Sequence, residues 1–185
     1  MTQPPTRVLG LVGSPRRHGN TETLVREVLG GADAAGASVG LVLLPELNIH
    51  PCLGCEHCLK HGVCVHDDDL AQVVTKLRES DVWVFGTPVY FFGPSAQFKA
   101  FLDRWVGIPE EVYQGKRVAY VIPLAANSEE IAGSTVDILE RSAQLKGMTI
   151  SGGVVAPRLL NLGEAAKDDE LLARARELGQ AIASR

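Results

Sequence analysis

Five short apolar runs alternate with longer amphipathic ones along this chain, and that alternation leaves few folds open. RVLGLVG at 7–13, SVGLVLL at 38–44, DVWVFGTP at 81–88, KRVAYVIPLA at 116–125 and MTISGGVVAP at 148–157 are apolar and rich in β-branched residues. Each reads as a buried strand. Between them apolar residues recur at helical spacing: Leu24, Val25, Val28 and Leu29, then Leu70, Val73, Val74 and Leu77, then Phe98, Phe101, Leu102 and Trp105. A fourth helix is expected over 129–146, and a fifth over 168–184 with Leu171, Ala175, Leu178 and Ile182 on one face. Strands and helices in strict alternation predict an α/β fold, a parallel sheet covered on both faces. With no internal repeat, low-complexity tract or linker, residues 1–185 are expected to form one domain. Asn20 is the expected N-cap of the first helix. Asp67, Asp68 and Asp69 read as a helix start, where carboxylates favour the positive end of the dipole.

The chain's 185 residues are 45% hydrophobic, enough for a full core, and its formal net charge is -4. A nucleic-acid surface usually needs a basic stripe, so that class is not expected. The first residues lack a charged-then-apolar signal pattern, and no apolar segment approaches the length of a membrane span, so a cytoplasmic location is expected. Thiols there are normally reduced. Yet all four cysteines, Cys52, Cys55, Cys58 and Cys64, fall within thirteen positions of a loop at about 48–66. Clustered in that compartment, they read as metal or redox ligands before they read as disulfides.

In an open α/β sheet, ligands bind at the carboxyl ends of the strands. The first such end is GSPRRHGNTETL, residues 13–24: a strand, a turn, then a helix N-terminus that receives anions. It matches neither nucleotide motif. Gly13 and Gly19 are separated by five residues and followed by Asn20-Thr21, which excludes a P-loop, and the third glycine of the dinucleotide fingerprint is missing. What remains, Ser14, Asn20, Thr21 and Thr23 with Arg16 and Arg17, suits one terminal phosphate without magnesium. An ordinary βα turn with hydroxyl caps is the plainer alternative.

GSPRRHGNT, followed by TPVYFFGPSAQFKAFLDR at 87–104, resembles the flavodoxin-like flavoproteins of the NADPH-dependent FMN reductase superfamily over about residues 7–156. The resemblance implies a doubly wound five-stranded parallel sheet of order 2-1-3-4-5 and a bound FMN. By position, Ser14, Arg16, Asn20 and Thr21 would hold the phosphate, and Pro88, Val89, Tyr90 and Phe91 would line the flavin ring. Ala126 and Asn127, in the LAANSEE loop at 124–130, would complete the pocket. At least one of Tyr90, Phe91 and Phe92 is expected in the core, and Lys99 and Asp103 read as a solvent-face pair.

The cysteine spacing is C-x2-C-x2-C-x5-C, whose first three members follow the ferredoxin pattern and whose fourth departs from it. PCLGCEHC…GVC…DDDL is similar to the compact motif of the iron-sulfur flavoproteins within the same superfamily, which implies a 4Fe-4S cluster on the four cysteines. Zinc, with His50, His57, His61 or His66 as alternative ligands, and free thiols remain open. The histidines, His18 included, read as polar loop residues.

The family implies an FMN-dependent oxidoreductase exchanging electrons with a small organic or protein partner, with NAD(P)H or ferredoxin as donor. Alternatives are an NAD(P)H-dependent FMN or quinone reductase with vestigial cysteines, a dehydrogenase of a small cyclic acid, or a non-enzymatic electron carrier or metal-binding module. A homodimer or homotetramer is expected, with no nucleic-acid or membrane partner, and no side chain is assigned to acid–base catalysis.

Overall fold

The computed structural model describes residues 4–184. Its strands are β1 (Arg7–Val12), β2 (Ser38–Leu43), β3 (Val82–Gly86), β4 (Arg117–Pro123) and β5 (Thr149–Ala156). They form one sheet in the order β2-β1-β3-β4-β5, every neighbouring pair parallel. The expected fold class and strand order both hold. Because the order reverses between β1 and β3, the loops leaving those strands diverge to opposite faces and open a crevice at their carboxyl ends.

The helices are α1 (Asn20–Ala34), α2 (His57–His61), α3 (Leu70–Glu79), α4 (Ala96–Asp103), α5 (Gly133–Leu145) and α6 (Asp169–Ala183). The sequence predicts five of them. The extra one, α2, is a short helix inside the cysteine loop, entered through Glu56 and left through Gly62, both left-handed. It buries nothing, so it leaves no apolar period to read.

Side chains on β3 alternate between two cores. Val82 and Val84 join Val8, Val12, Val25 and Val28 under α1 and α6, while Trp83 and Phe85 join Phe98, Phe101, Trp105 and Tyr113 on the other face. A sheet buried on both sides explains why these strands read as continuous apolar runs. On the α1 face two glycines bring helices into backbone contact. A Cβ on Gly179 would lie 1.9 Å from the Val28 carbonyl oxygen, and one on Gly31 would lie 2.1 Å from that of Arg176.

The long excursion between β2 and α3 is fastened by a buried ion pair. Arg104, in the helical turn after α4, donates from NH1 to Asp68 Oδ2 at 2.7 Å and from NH2 to Asp68 Oδ1 at 3.3 Å. Both side chains are almost fully buried, at 2% and 1% exposure. The same carboxylate accepts the N–H groups of His50 and Leu70. The acidic run is therefore more than a helix start: Asp68 is a structural anchor, a role that depends on an arginine 36 residues away. Burial alone would raise the Asp68 carboxyl, but Arg104 and the two backbone donors prevail and hold it down, from 3.8 to about 2. No helix among the described residues is long and apolar enough to cross a membrane.

Two outcomes follow from this packing. Gly179→Ala should lower stability by about 1–3 kcal/mol, because the clash with Val28 outweighs the helix propensity that alanine adds. An unchanged or higher urea midpoint would contradict the close approach. A carboxyl with a depressed folded pKa stabilises above its unfolded value and loses that contribution as pH falls through the folded one. The stability gap between the native chain and Asp68→Asn should be on the order of 2 kcal/mol near neutrality and shrink between about pH 4 and pH 2. Denaturant midpoints across that range measure it, and a gap that persists at pH 2 would refute the assignment.

Candidate active site

The crevice at the β1/β3 reversal is a cleft lined by Ser14, Arg16, Asn20, Thr21, Pro88, Val89, Tyr90, Pro123, Leu124, Ala125, Leu159 and Leu160. Its two ends differ in chemistry. One is the start of α1, where Ser14, Asn20 and Thr21 are buried and the first-turn N–H groups lack intrahelical acceptors. The other is a wall of prolines, aliphatic side chains and Tyr90.

Local geometry prepares the polar end. Ser14 Oγ accepts the Arg16 N–H at 3.3 Å, and Gly19 takes the N-cap position expected for Asn20. Asn20 occupies the first helical position, and its side chain bonds across to the loop after β5. Its Nδ2 donates to the Asn161 carbonyl at 2.8 Å and its Oδ1 accepts from the Ala165 N–H at 3.1 Å. Arg16 donates to the Leu160 carbonyl at 2.8 Å. Glu22 would place an unwelcome negative charge in the first turn of α1, but it is neutralised. Its carboxylate accepts the His18 N–H at 2.7 Å and meets Arg26 at 2.9 Å. Burial opposes its ionisation, yet these partners win and hold the carboxyl below its ordinary value. Arg17 turns away, onto Glu46 at 2.6 Å, so Arg16 is the arginine that faces the cleft.

The sequence-expected residues Ser14, Arg16, Asn20, Thr21, Pro88, Val89 and Tyr90 thus come together. Phe91, Ala126 and Asn127 are absent from the lining; the last residue of β4, Pro123, and Leu124 and Ala125 just beyond it line the cleft instead. None of Tyr90, Phe91 and Phe92 is core, contrary to expectation: Tyr90 is 42% exposed, Phe92 58%, and Phe91 wholly so. Phe91 and Phe92 form the tip of a tight hairpin, with φ of 47° and 66°, closed by paired hydrogen bonds between Tyr90 and Gly93. Left-handed backbone at two bulky residues costs about 1–2 kcal/mol each, so the surrounding structure must enforce it. Lys99 and Asp103 form the expected exposed pair at 2.5 Å. Sequence reasoning missed Leu159 and Leu160. Their signal was positional, since the loop after β5 leaves the same edge of the sheet.

The four cysteines line a second pocket, with Leu53, Leu59, Val65, His66, Arg104, Val106 and Gly107. The Gly54 N–H points at Cys52 Sγ at 3.5 Å. Gly107 leaves room for the thiols, for a Cβ there would lie 3.3 Å from Cys58 Cβ and 3.5 Å from its sulfur. Burial works against the Arg104 charge, but Asp68 and then the Cys64 sulfur overturn this and hold the guanidinium above its ordinary value. The ligand atoms of His50, His66 and Asp68 lie within 4.8 Å of one another. That trio is a poor cation site, because the Asp68 carboxylate is already committed to Arg104 and two backbone donors.

Comparison with known proteins agrees with this geometry. Residues 6–158 match the model of the NADPH-dependent FMN reductase family. An iron-sulfur flavoprotein of Archaeoglobus fulgidus is 30% identical over 181 residues, 96% of this chain and 79% of its own length. One of Methanocaldococcus jannaschii is 41% identical over 98 residues, a match that spans only 51% of that protein. Among solved structures, the NAD(P)H:quinone oxidoreductase from Methanothermobacter marburgensis shares the fold. Its TM-score is 0.78 at 17% identity, with 97% of this chain and 96% of that one covered. The chain belongs to the NADPH-dependent FMN reductase family, in its iron-sulfur flavoprotein subgroup.

Proposed function

We propose that this protein is an FMN-dependent oxidoreductase of the iron-sulfur flavoprotein type. It moves electrons between FMN, a 4Fe-4S cluster on Cys52, Cys55, Cys58 and Cys64, and a small organic molecule or electron-carrier protein. The observation that carries the reading is the division of the cleft into a polar end at the start of α1 and an apolar wall, joined in one crevice. Those two surfaces match the two ends of a flavin mononucleotide.

Ser14, Thr21, Arg16 and the first-turn N–H groups of α1 would hold the phosphate, the helix dipole adding to the arginine's charge. The Asn20 side chain serves by fixing the loop after β5. Pro88, Val89 and Tyr90, faced by Pro123, Leu124 and Ala125, would flank the ring and keep water from it. Phe91, at the exposed hairpin tip, and Ala126 and Asn127, just beyond the lining, would act only if that edge closes over the ring. When bound, FMN supplies two-electron exchange with organic molecules and one-electron exchange with metal centres. The chain supplies binding and orientation, and no side chain is assigned a proton.

A cluster of this type needs four thiolates, and this chain brings four to one pocket beside a backbone donor. A complete set favours a working cluster over a reductase with vestigial cysteines, and a reducing cytoplasmic compartment would suit it. The exposed Tyr90, Phe91 and Phe92 favour a homo-oligomer that covers them.

Arg16→Gln should weaken FMN binding about ten- to a hundredfold, the loss of a charged hydrogen bond, while riboflavin binding stays unchanged. Fluorescence titration with both flavins measures this, and equal weakening for both would move the phosphate elsewhere. Cys55→Ser should lose iron and sulfide yet retain FMN. Loss of both together would contradict two separate sites.

A further inference from the structure

Two charged side chains line the four-cysteine pocket, the exposed Glu56 and Arg104, and only Arg104 is built in rather than draped over the surface. It is 2% exposed and fixed from two sides, by the Asp68 carboxylate and by the His50 carbonyl at 2.8 Å. His50 opens the loop and Asp68 follows it, so one guanidinium joins both ends of the segment that carries all four thiols. The helical turn that holds Arg104 ends at Gly107, where the missing side chain leaves room for Cys58 and Cys64. Arg104 Nε is buried with no hydrogen-bond partner among the described residues. A buried, unpaired donor is costly, and one sited where negative charge develops is a common way to stabilise that charge.

We propose that Arg104 is the electrostatic positioning residue of the cysteine site: it closes the ligand loop around the cluster and stabilises the negative charge added when the cluster is reduced. This rests on the cluster reading above. The step is the transfer of one electron into the cluster from reduced flavin, or from dithionite in the test; no bond forms or breaks and no proton moves. Asp68 counterbalances Arg104, so the pair sets the reduction potential between two extremes. Charge near a cluster and hydrogen bonds to its sulfurs are among the terms that fix that potential.

The two charges give the test a sign. Midpoint potentials are measured by dye-mediated titration of the anaerobically reconstituted holoprotein, with FMN content and thermal melting to report folding. Asp68→Asn, which leaves the cation uncompensated, should shift the midpoint to more positive values. The double variant Asp68→Asn with Arg104→Gln should shift it back to more negative values than Asp68→Asn alone. Arg104→Lys should keep a midpoint near the native one, because it keeps the cation. A purely structural role would lower cluster occupancy in all variants and leave the midpoint of the remaining clusters unmoved; that result overturns the proposal. A shift to more negative values in Asp68→Asn would also overturn it, even if the double variant failed to fold. If the native protein binds FMN but takes up no iron or sulfide, the cluster reading itself fails, and Arg104's role falls with it.

Discussion

The Ser95 hydroxyl donates to the Gly13 carbonyl at 2.6 Å, fully buried, and the rest of the cleft is arranged around that bond. Gly13 follows β1 and starts the turn into α1, while Ser95 ends the aromatic hairpin and caps α4, its oxygen also accepting the Phe98 N–H. A further bond from the Ser95 N–H to Thr87 Oγ1 ties the hairpin's two ends together. One side chain thus fixes the distance between the anion end and the apolar wall. Gly13 permits this only by lacking a side chain, since a Cβ there would stand 2.6 Å from Phe98 Cβ. A cleft set by a buried bond and a backbone contact is pre-formed, so a ligand does not have to order it.

The periodic parts of the molecule were legible in the sequence because burial imposes period. All five strands and the α1, α3 and α4 faces follow from apolar spacing alone, and the strand order follows from the family resemblance. What escaped is what period cannot encode. α2 buries nothing; Asn20 bonds to a loop about 140 residues away rather than capping its own helix; Asp68 serves an arginine 36 positions on. Each is a polar pairing between distant segments, invisible until the fold brings them together. The aromatic trio misled for a related reason. Three aromatics in a row usually mean burial, but a tight hairpin turned Phe91 and Phe92 outward. Ser95 was readable in principle, as a serine three residues before the apolar-periodic run that begins at Phe98.

The two sites differ in how the chain secures them. The cleft is a property of the topology, and any sheet with this strand order offers one. The cysteine pocket is an addition, a segment of loop inserted between β2 and α3 that contributes almost nothing to either core. It is retained by Asp68 and Arg104, a pair whose desolvation cost is offset by four well-placed donors on one carboxylate. Arg104 leaves α4, the helix that Ser95 caps. α4 therefore links the two sites, one end held by Ser95 to the turn after β1 and the other, through Arg104, to the residues that flank the thiol-bearing loop.

Protein purified without air carries the decisive composition. Its visible spectrum should show resolved flavin bands over a broad absorption that bleaches on reduction, with about four irons and four sulfides per FMN. A colourless protein that refuses FMN at saturating supply would overturn the flavin site and the oxidoreductase function with it.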